Sequence, residues 1–589
     1  MIAPEKSFKN LFCKLMEEVD FFGEGPPKVP WENRTRGPGG WGEVLDDIFN
    51  RDARLLPSHY YEAYVAPLKS NIELVLAQDN PNVSRLWDLE TILGAIYDHA
   101  DPTVGPALRR FLAVVSNVYR SFLAREPIRG QLDSTKIPHK EWLPPLAIFK
   151  HKLRYEDFSE VSPYSVPADS LKKLFGGRVG LVCLPSAYID HPLLWTAIAH
   201  EVGGHDVLHS KEDLLPELQK KVRHLFDQGP VPTMTDKLNF DQLLGLLWQY
   251  WTEEAASDVY ALMNVGPCYG KGLAIYQACL GLSIRQLIFS KDARVTAKYP
   301  SIVSSFRDQG VKKTIEFIKG GAGTNLYKDY AAEYKFDVPQ LRNWSGMAPL
   351  GVGQPEWTAK DITANLDVHP VDILKLHVII GAIEGLDDDK GKRNWAEYVD
   401  ELVEIAALCA DGNKSVRLQG WLQTAPDAWR LVDEKLPLAE MQASARRAGN
   451  FIATAKLEAL QHGSKARNIQ FYETWDYDDE LTAAKVKETL LADGDIEMMG
   501  DDAQLLAGAT LAAFENAELY TAINDKLGKA LEGSFYRDPF WGEFCVVHPL
   551  FSWPRSPDPS CSSPGTPDTK KKRAGTKRRS AGTKKGRDR

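Results

Sequence analysis

The sequence predicts a mainly α fold with a small β component. Apolar residues recur at intervals of three and four over long stretches of both halves of the chain, as the buried stripe of a helix requires. A β-branched run that ends at a proline occurs at 178–185, "RVGLVCLP", and reads as a buried or edge strand. The chain has 589 residues, enough for a large core and for roughly two to four domains.

Taken in order, residues 1–20 read as an amphipathic helix. Residues 21–45 hold "GEGPPKVPWENRTRGPGGWGE", too rich in Pro and Gly for a regular element. Helical spacing runs from 58 to 126 and includes "LWDLETILGAIYDHA" and "ALRRFLAVVSNVYRSFLA". Residues 127–175 are mixed, with many Pro and aromatic side chains. After the predicted strand, a helix begins near Pro192, because proline suits a first helical turn. Helices follow at "LLPELQKKVRHLF", "FDQLLGLLWQYWTEEAASDVYALM" and "LAIYQACLGLSIRQLIF", and the stretch from 370 to 535 is nearly all helical. No repeat of 20 to 50 residues is visible.

These breaks suggest five units. They are an N-terminal helix with its Pro/Gly-rich segment (1–57), a helical N-terminal domain (58–175), a core that carries the histidine-rich stretch at 197–209 (176–300), a helical C-terminal domain (301–551), and a Pro/Ser linker with a basic tail (552–589).

Hydrophobic residues make up 43% and charged residues 26%, ordinary values for a globular protein. No apolar run approaches the roughly 18 residues of a membrane span, so no membrane partner is expected. The N-terminus carries acidic residues where a signal peptide needs an apolar stretch, which makes a cytoplasmic location the expectation. The seven cysteines are scattered without a CxxC pair, so a metal here must be held by His and carboxylate.

The formal charge is −9, and it is uneven. Residues 570–589 hold eleven Lys/Arg and one Asp, a local +10, so the remainder carries −19. Such a tail is either a disordered solubilising end, a weak electrostatic contact for nucleic acid, or, in a eukaryote, a nuclear import signal. Aromatic residues do not interleave with its charges, which argues against base stacking.

The chemistry concentrates at 197–209, "AIAHEVGGHDVLH". A zinc helix of the short His-Glu-x-x-His type places its histidines four apart on one face. His200 and His205 are five apart, which on a regular helix leaves them about 140° from each other around the axis. A one-residue bulge of the π type restores the shared face, and Gly203 and Gly204 present no Cβ to obstruct it. Two helix-interior glycines cost roughly 1 kcal/mol each, which a plain structural helix has little reason to carry.

A two-histidine site needs a third protein ligand. Glu254 and Asp258 in "QYWTEEAASDVYALM" share one helical face, so Glu254 suits the metal and Asp258 suits the second N–H of a ligand histidine. The competing set is His205 and His209, four apart, with Asp206 beside the first. The bland alternatives are two solvated histidines and, at Glu253 and Asp258, a solvated acidic face.

His200-Glu201-Val202-Gly203-Gly204-His205 fits His-Glu-x-x-Gly-His, and Glu253-Glu254-Ala255-Ala256-Ser257-Asp258 fits Glu-Glu-x-x-x-Asp. Together these motifs resemble the dipeptidyl-peptidase III family of zinc metallopeptidases. The resemblance covers residues 200–258 and lies earlier in the chain than it does in that family. It implies a zinc-peptidase-like helical core, with two lobes around a cleft. It also implies one zinc ion on His200, His205 and Glu254, Glu201 as general base, and a peptide or protein substrate.

For the oxyanion-stabilising group, the sequence offers His369 and His377, and Tyr188, Tyr250 and Tyr260. His377 lies in an apolar helical run and reads better as a hydrogen-bonded core histidine. The rival to an enzyme is a helical interaction protein with a structural or vestigial zinc. A structural zinc is closed by four protein ligands, which makes His209 the residue to watch.

Overall fold

The computed structural model describes residues 3–19, 69, 94–96, 98, 104–123, 144–150, 164–166, 180–209, 213–231, 239–276, 279, 371–387, 394–410, 438–457, 475–538 and 541. Among these, helices dominate and strands are few, so the fold is mainly α. The Pro/Gly-rich segment at 21–45, His369, and the linker and basic tail at 552–589 lie outside the described residues.

The chain opens with α1, Pro4–Glu18, whose first turn holds Pro4 and whose apolar face buries Phe8, Leu11, Phe12 and Leu15. Helix α2, Gly105–Leu123, buries Leu108, Phe111, Leu112 and Val115 at the spacing that marked it as helical. Three short strands follow: β1, Leu146–Lys150; β2, Tyr164–Val166; and β3, Leu181–Pro185. The central strand β3 pairs in parallel with β1 and antiparallel with β2. Only β3 stood out in the sequence. The apolar run of β1 follows two prolines and lies in a stretch that reads as mixed, with many Pro and aromatic residues, so local signals masked it.

Beyond β3, two 3₁₀ turns at Ser186–Tyr188 and Pro192–Trp195 lead into α3, Thr196–His200. The Trp195 indole N–H donates to the Tyr188 carbonyl at 2.8 Å. Its ring lies 5.4 Å from Phe111 of α2 and 6.3 Å from Phe149 of β1. This cluster fixes the direction in which the histidine-bearing helix leaves the sheet.

Helix α4, Leu214–Phe226, is followed by α5, Phe240–Val265. Asn239 and Gln242 form a reciprocal capping box at the start of α5, satisfying two backbone N–H groups that would otherwise lack partners. Leu247, Trp248, Ala255, Ala256, Val259 and Leu262 are all buried, and they lie around much of the helix circumference. A helix apolar on so many sides belongs in the interior, and α5 contacts α2, α3, α4 and several of the later helices described below. Residues 268–276 form a further helical segment.

The second half adds α6, Val371–Leu386; α7, Ala396–Ala410; and α8, Leu438–Thr454. It ends with α9, Tyr477–Leu491; α10, Asp502–Glu515; and α11, Tyr520–Arg537. Helices α6 and α8 run close together, and the Trp248 indole of α5 donates to Ser444 Oγ of α8 at 2.8 Å. One continuous apolar core runs from α1 to α11. Among the described residues, no helix is long and apolar enough to cross a membrane.

Candidate metal centre

The lengthened histidine motif folds as its spacing demands. Helix α3 ends at His200, and Glu201–Asp206 form a π-helical turn. The wider i→i+5 turn brings His205 round beneath His200. Their rings meet edge to face with centroids 4.9 Å apart, and their Nε2 atoms are separated by 3.2 Å.

The double glycine has a further role. A Cβ at Gly204 would overlap both Cβ and Cα of Ser257 on α5, and one at Gly203 would come within 2.8 Å of Asn264 Nδ2. The glycines therefore let α5 lie directly against the π turn. That close approach delivers Glu253, Glu254 and Asp258 to the two histidines.

Glu254 completes a triangle with the imidazoles. His200 Nε2 stands 3.4 Å from Glu254 Oε2, and His205 Nε2 stands 3.5 Å from Glu254 Oε1. Donors about 2.0–2.2 Å from a tetrahedral centre stand roughly 3.3–3.6 Å from one another. The three separations are of that size, with different oxygens of Glu254 facing His200 and His205, so the carboxylate borders the same position as the two Nε2 atoms and the group could hold a metal ion.

The opposite ring nitrogens are anchored. His200 Nδ1 donates to Asp258 Oδ1 at 2.8 Å, and the same oxygen accepts from the Tyr269 hydroxyl at 2.9 Å. His205 Nδ1 donates to Glu253 Oε1 at 3.0 Å. These bonds orient each ring with Nε2 turned toward the centre. Asp258 is fully buried, so it is not part of a solvated acidic face.

His209, the rival ligand, bonds elsewhere: its Nε2 lies 2.8 Å from Glu253 Oε1. Among the described residues, the group whose donor atoms converge as for a metal is His200, His205 and Glu254.

Charge in the pocket is strongly negative. Glu253, Glu254 and Asp258 contact the histidines, and the ammonium of Lys375 on α6 lies 2.7 Å from Glu254 Oε2 and 3.6 Å from Asp258 Oδ2. Burial and Lys375 push the His200 imidazolium down, but Asp258 and Glu254 outweigh them and raise His200 to about 9. Burial works against the Glu254 carboxylate, yet Lys375 and the two histidines hold it well below the usual carboxylate range.

Glu201 is the first residue of the π turn and is 8% exposed. Asp206, at the end of that turn, is buried with no hydrogen bond to either carboxyl oxygen. Burial first, and then Glu201, push its carboxyl well above the ordinary range.

The chain matches no family model, no curated protein and no solved structure. The site must therefore be read from its own chemistry.

The candidate oxyanion groups separate by location. His377 is buried on α6, accepts from Arg446 Nε at 3.3 Å through Nδ1, and is lowered to about 4 by burial and by Arg446. It is a core histidine bonded away from the triangle. Tyr188 and Tyr260 are buried, whereas Tyr250 is half-exposed one helical turn before Glu254.

Sequence reasoning missed Lys375, Tyr269 and the bridging role of Glu253. The signal for Lys375 was present, as a lone cation inside the apolar run "DILKLHVII", where a lysine needs a partner. Tyr269 gave none, because its partner is revealed only by the fold.

Proposed function

We propose that this chain is a zinc-dependent hydrolase that cleaves peptide bonds, with one zinc ion held by His200, His205 and Glu254. The observation that carries the reading is the convergence of the two Nε2 atoms on the Glu254 carboxylate, whose Oε2 and Oε1 lie 3.4 Å and 3.5 Å from His200 and His205 respectively. Among the described residues three protein donors converge, which suits a catalytic zinc with an open position. His209 is engaged by Glu253, which argues against a closed structural site.

Bound there, zinc would lower the pKa of a coordinated water toward neutrality and polarise the scissile carbonyl. Glu201, adjacent to the first ligand, serves as general base and returns the proton to the leaving amine. Asp258 and Glu253 hold the imidazoles in register. On this reading the helical body forms two lobes around a cleft that admits a peptide. The dipeptidyl-peptidase III-like motifs at 200–205 and 253–258 support the same assignment.

The test measures bound zinc and cleavage of a synthetic peptide mixture, followed by mass spectrometry, on the parent and two variants. Glu201→Gln keeps its zinc and loses hydrolysis by about 10²–10⁴-fold. Glu254→Ala loses zinc and hydrolysis together. A fully active Glu201→Gln protein contradicts the assignment of the base.

A further inference from the structure

We infer that Lys375 is a positioning residue that restricts Glu254 to a single metal-binding oxygen and so keeps a coordination position open. The inference rests on the zinc reading above and concerns a residue that neither sequence motif contains.

Lys375 projects from α6 toward α5 and is mostly buried, with a side-chain exposure of 13%. Its ammonium lies 2.7 Å from Glu254 Oε2, a full charge-assisted hydrogen bond. The other oxygen, Oε1, faces His205 Nε2 at 3.5 Å. Oε2 also lies 3.4 Å from His200 Nε2, so both oxygens border the metal position, but only Oε2 is held by an ammonium, which leaves Oε1 for a metal. The same ammonium lies 3.6 Å from Asp258 Oδ2, the free oxygen of the carboxylate that orients His200. Lys375 therefore touches both carboxylates that shape the centre.

Its own position is rigid. A Cβ at Gly381 would overlap the Arg446 backbone of α8, so α6 is packed closely against α8 and has little freedom to withdraw the lysine. A carboxylate free at both oxygens tends to chelate a divalent ion and fill a further coordination position. An ammonium on one oxygen prevents that. It also repels the metal, so Lys375 trades affinity for openness.

Cobalt(II) provides the test, because four-coordinate cobalt absorbs visible light several-fold more strongly than cobalt of higher coordination number. The measurement uses the full-length chain, stripped of metal and titrated with cobalt and with zinc, in the parent, Lys375→Met and Lys375→Arg. The parent gives an intense spectrum. Lys375→Met gives a weaker one and binds zinc on the order of tenfold more tightly, because a repelling unit charge is gone and Oε2 is released. Lys375→Arg, which keeps the charge, stays close to the parent in affinity. Lys375→Gln substitutes for the Met variant if circular dichroism shows that variant unfolded. A parent that takes up neither metal overturns the metal centre itself. A parent that binds both, with Lys375→Met unchanged in spectrum and affinity, overturns the role of Lys375 alone.

Discussion

Gly204 lies flush against Ser257, with no room for a side-chain carbon between them. Ser257 stands between Glu254 and Asp258 on α5, so this contact sets the distance from the histidine pair to its carboxylates. The second glycine of the motif is a spacer between two helices as much as a concession to the π turn.

Gly204→Ala should therefore force α5 outward. Overpacking of this kind costs about 1–3 kcal/mol, and zinc affinity should fall with it. Gly203→Ala meets side-chain atoms of Asn264 and Val118 at 2.8 Å and 3.1 Å rather than a backbone atom, and should cost less. Denaturant midpoints and zinc titrations on both variants check the order. Equal effects at the two positions would place the requirement in backbone freedom rather than in helix contact.

Removing the anchors behind the imidazoles should weaken metal binding without abolishing it. Asp258→Asn and Glu253→Gln keep the shape but lose the charged acceptor, and losses of about 10–100-fold in zinc affinity are expected. His209→Ala should retain one zinc per chain, because His209 contacts Glu253 rather than the triangle. Loss of zinc in His209→Ala would make it a ligand.

A pH effect on stability is expected far from this centre, at Asp502 on α10. Burial, reinforced by Asp501 and Asp538 against Ser534 and Arg537, raises its carboxyl to about 7, and Oδ1 has no hydrogen bond. The unfolded chain ionises this group near its ordinary value of about 3.9. A raised folded value means the stabilising contribution is complete below that ordinary value and is lost as pH climbs to about 7. Asp502→Asn should thus be more stable than the parent by roughly 2 kcal/mol at pH 8. The gap should widen from pH 5 to pH 7 and then hold level. Melting temperatures of the two proteins across that range decide it, and a gap independent of pH would show that Asp502 is not the titrating group.

How much of this was legible in the sequence depends on whether the controlling interactions were local. The α4 helix spans 214–226 as its apolar repeat indicated, and the five-residue spacing of His200 and His205 already called for the π turn. Glu254 and Asp258 were readable as a pair because helical periodicity alone puts them on one face. Strands β1 and β2 were not, because pairing with β3 decides them and their flanking sequence argues for irregular chain. Glu253 looked like a solvated acid until the π turn brought both His205 and His209 to it. Lys375 lies 121 residues from Glu254 in the chain, and no local pattern connects them.

On the proposed function, His200, His205 and Glu254 hold one divalent ion. The direct measurement is calorimetric titration of zinc into the metal-stripped full-length chain, with His205→Ala and Glu254→Ala alongside. The account predicts one tightly bound zinc per chain in the parent and loss of that tight site in both variants, with helical content unchanged. A parent that binds no zinc, or variants that bind it as tightly as the parent, would contradict the account.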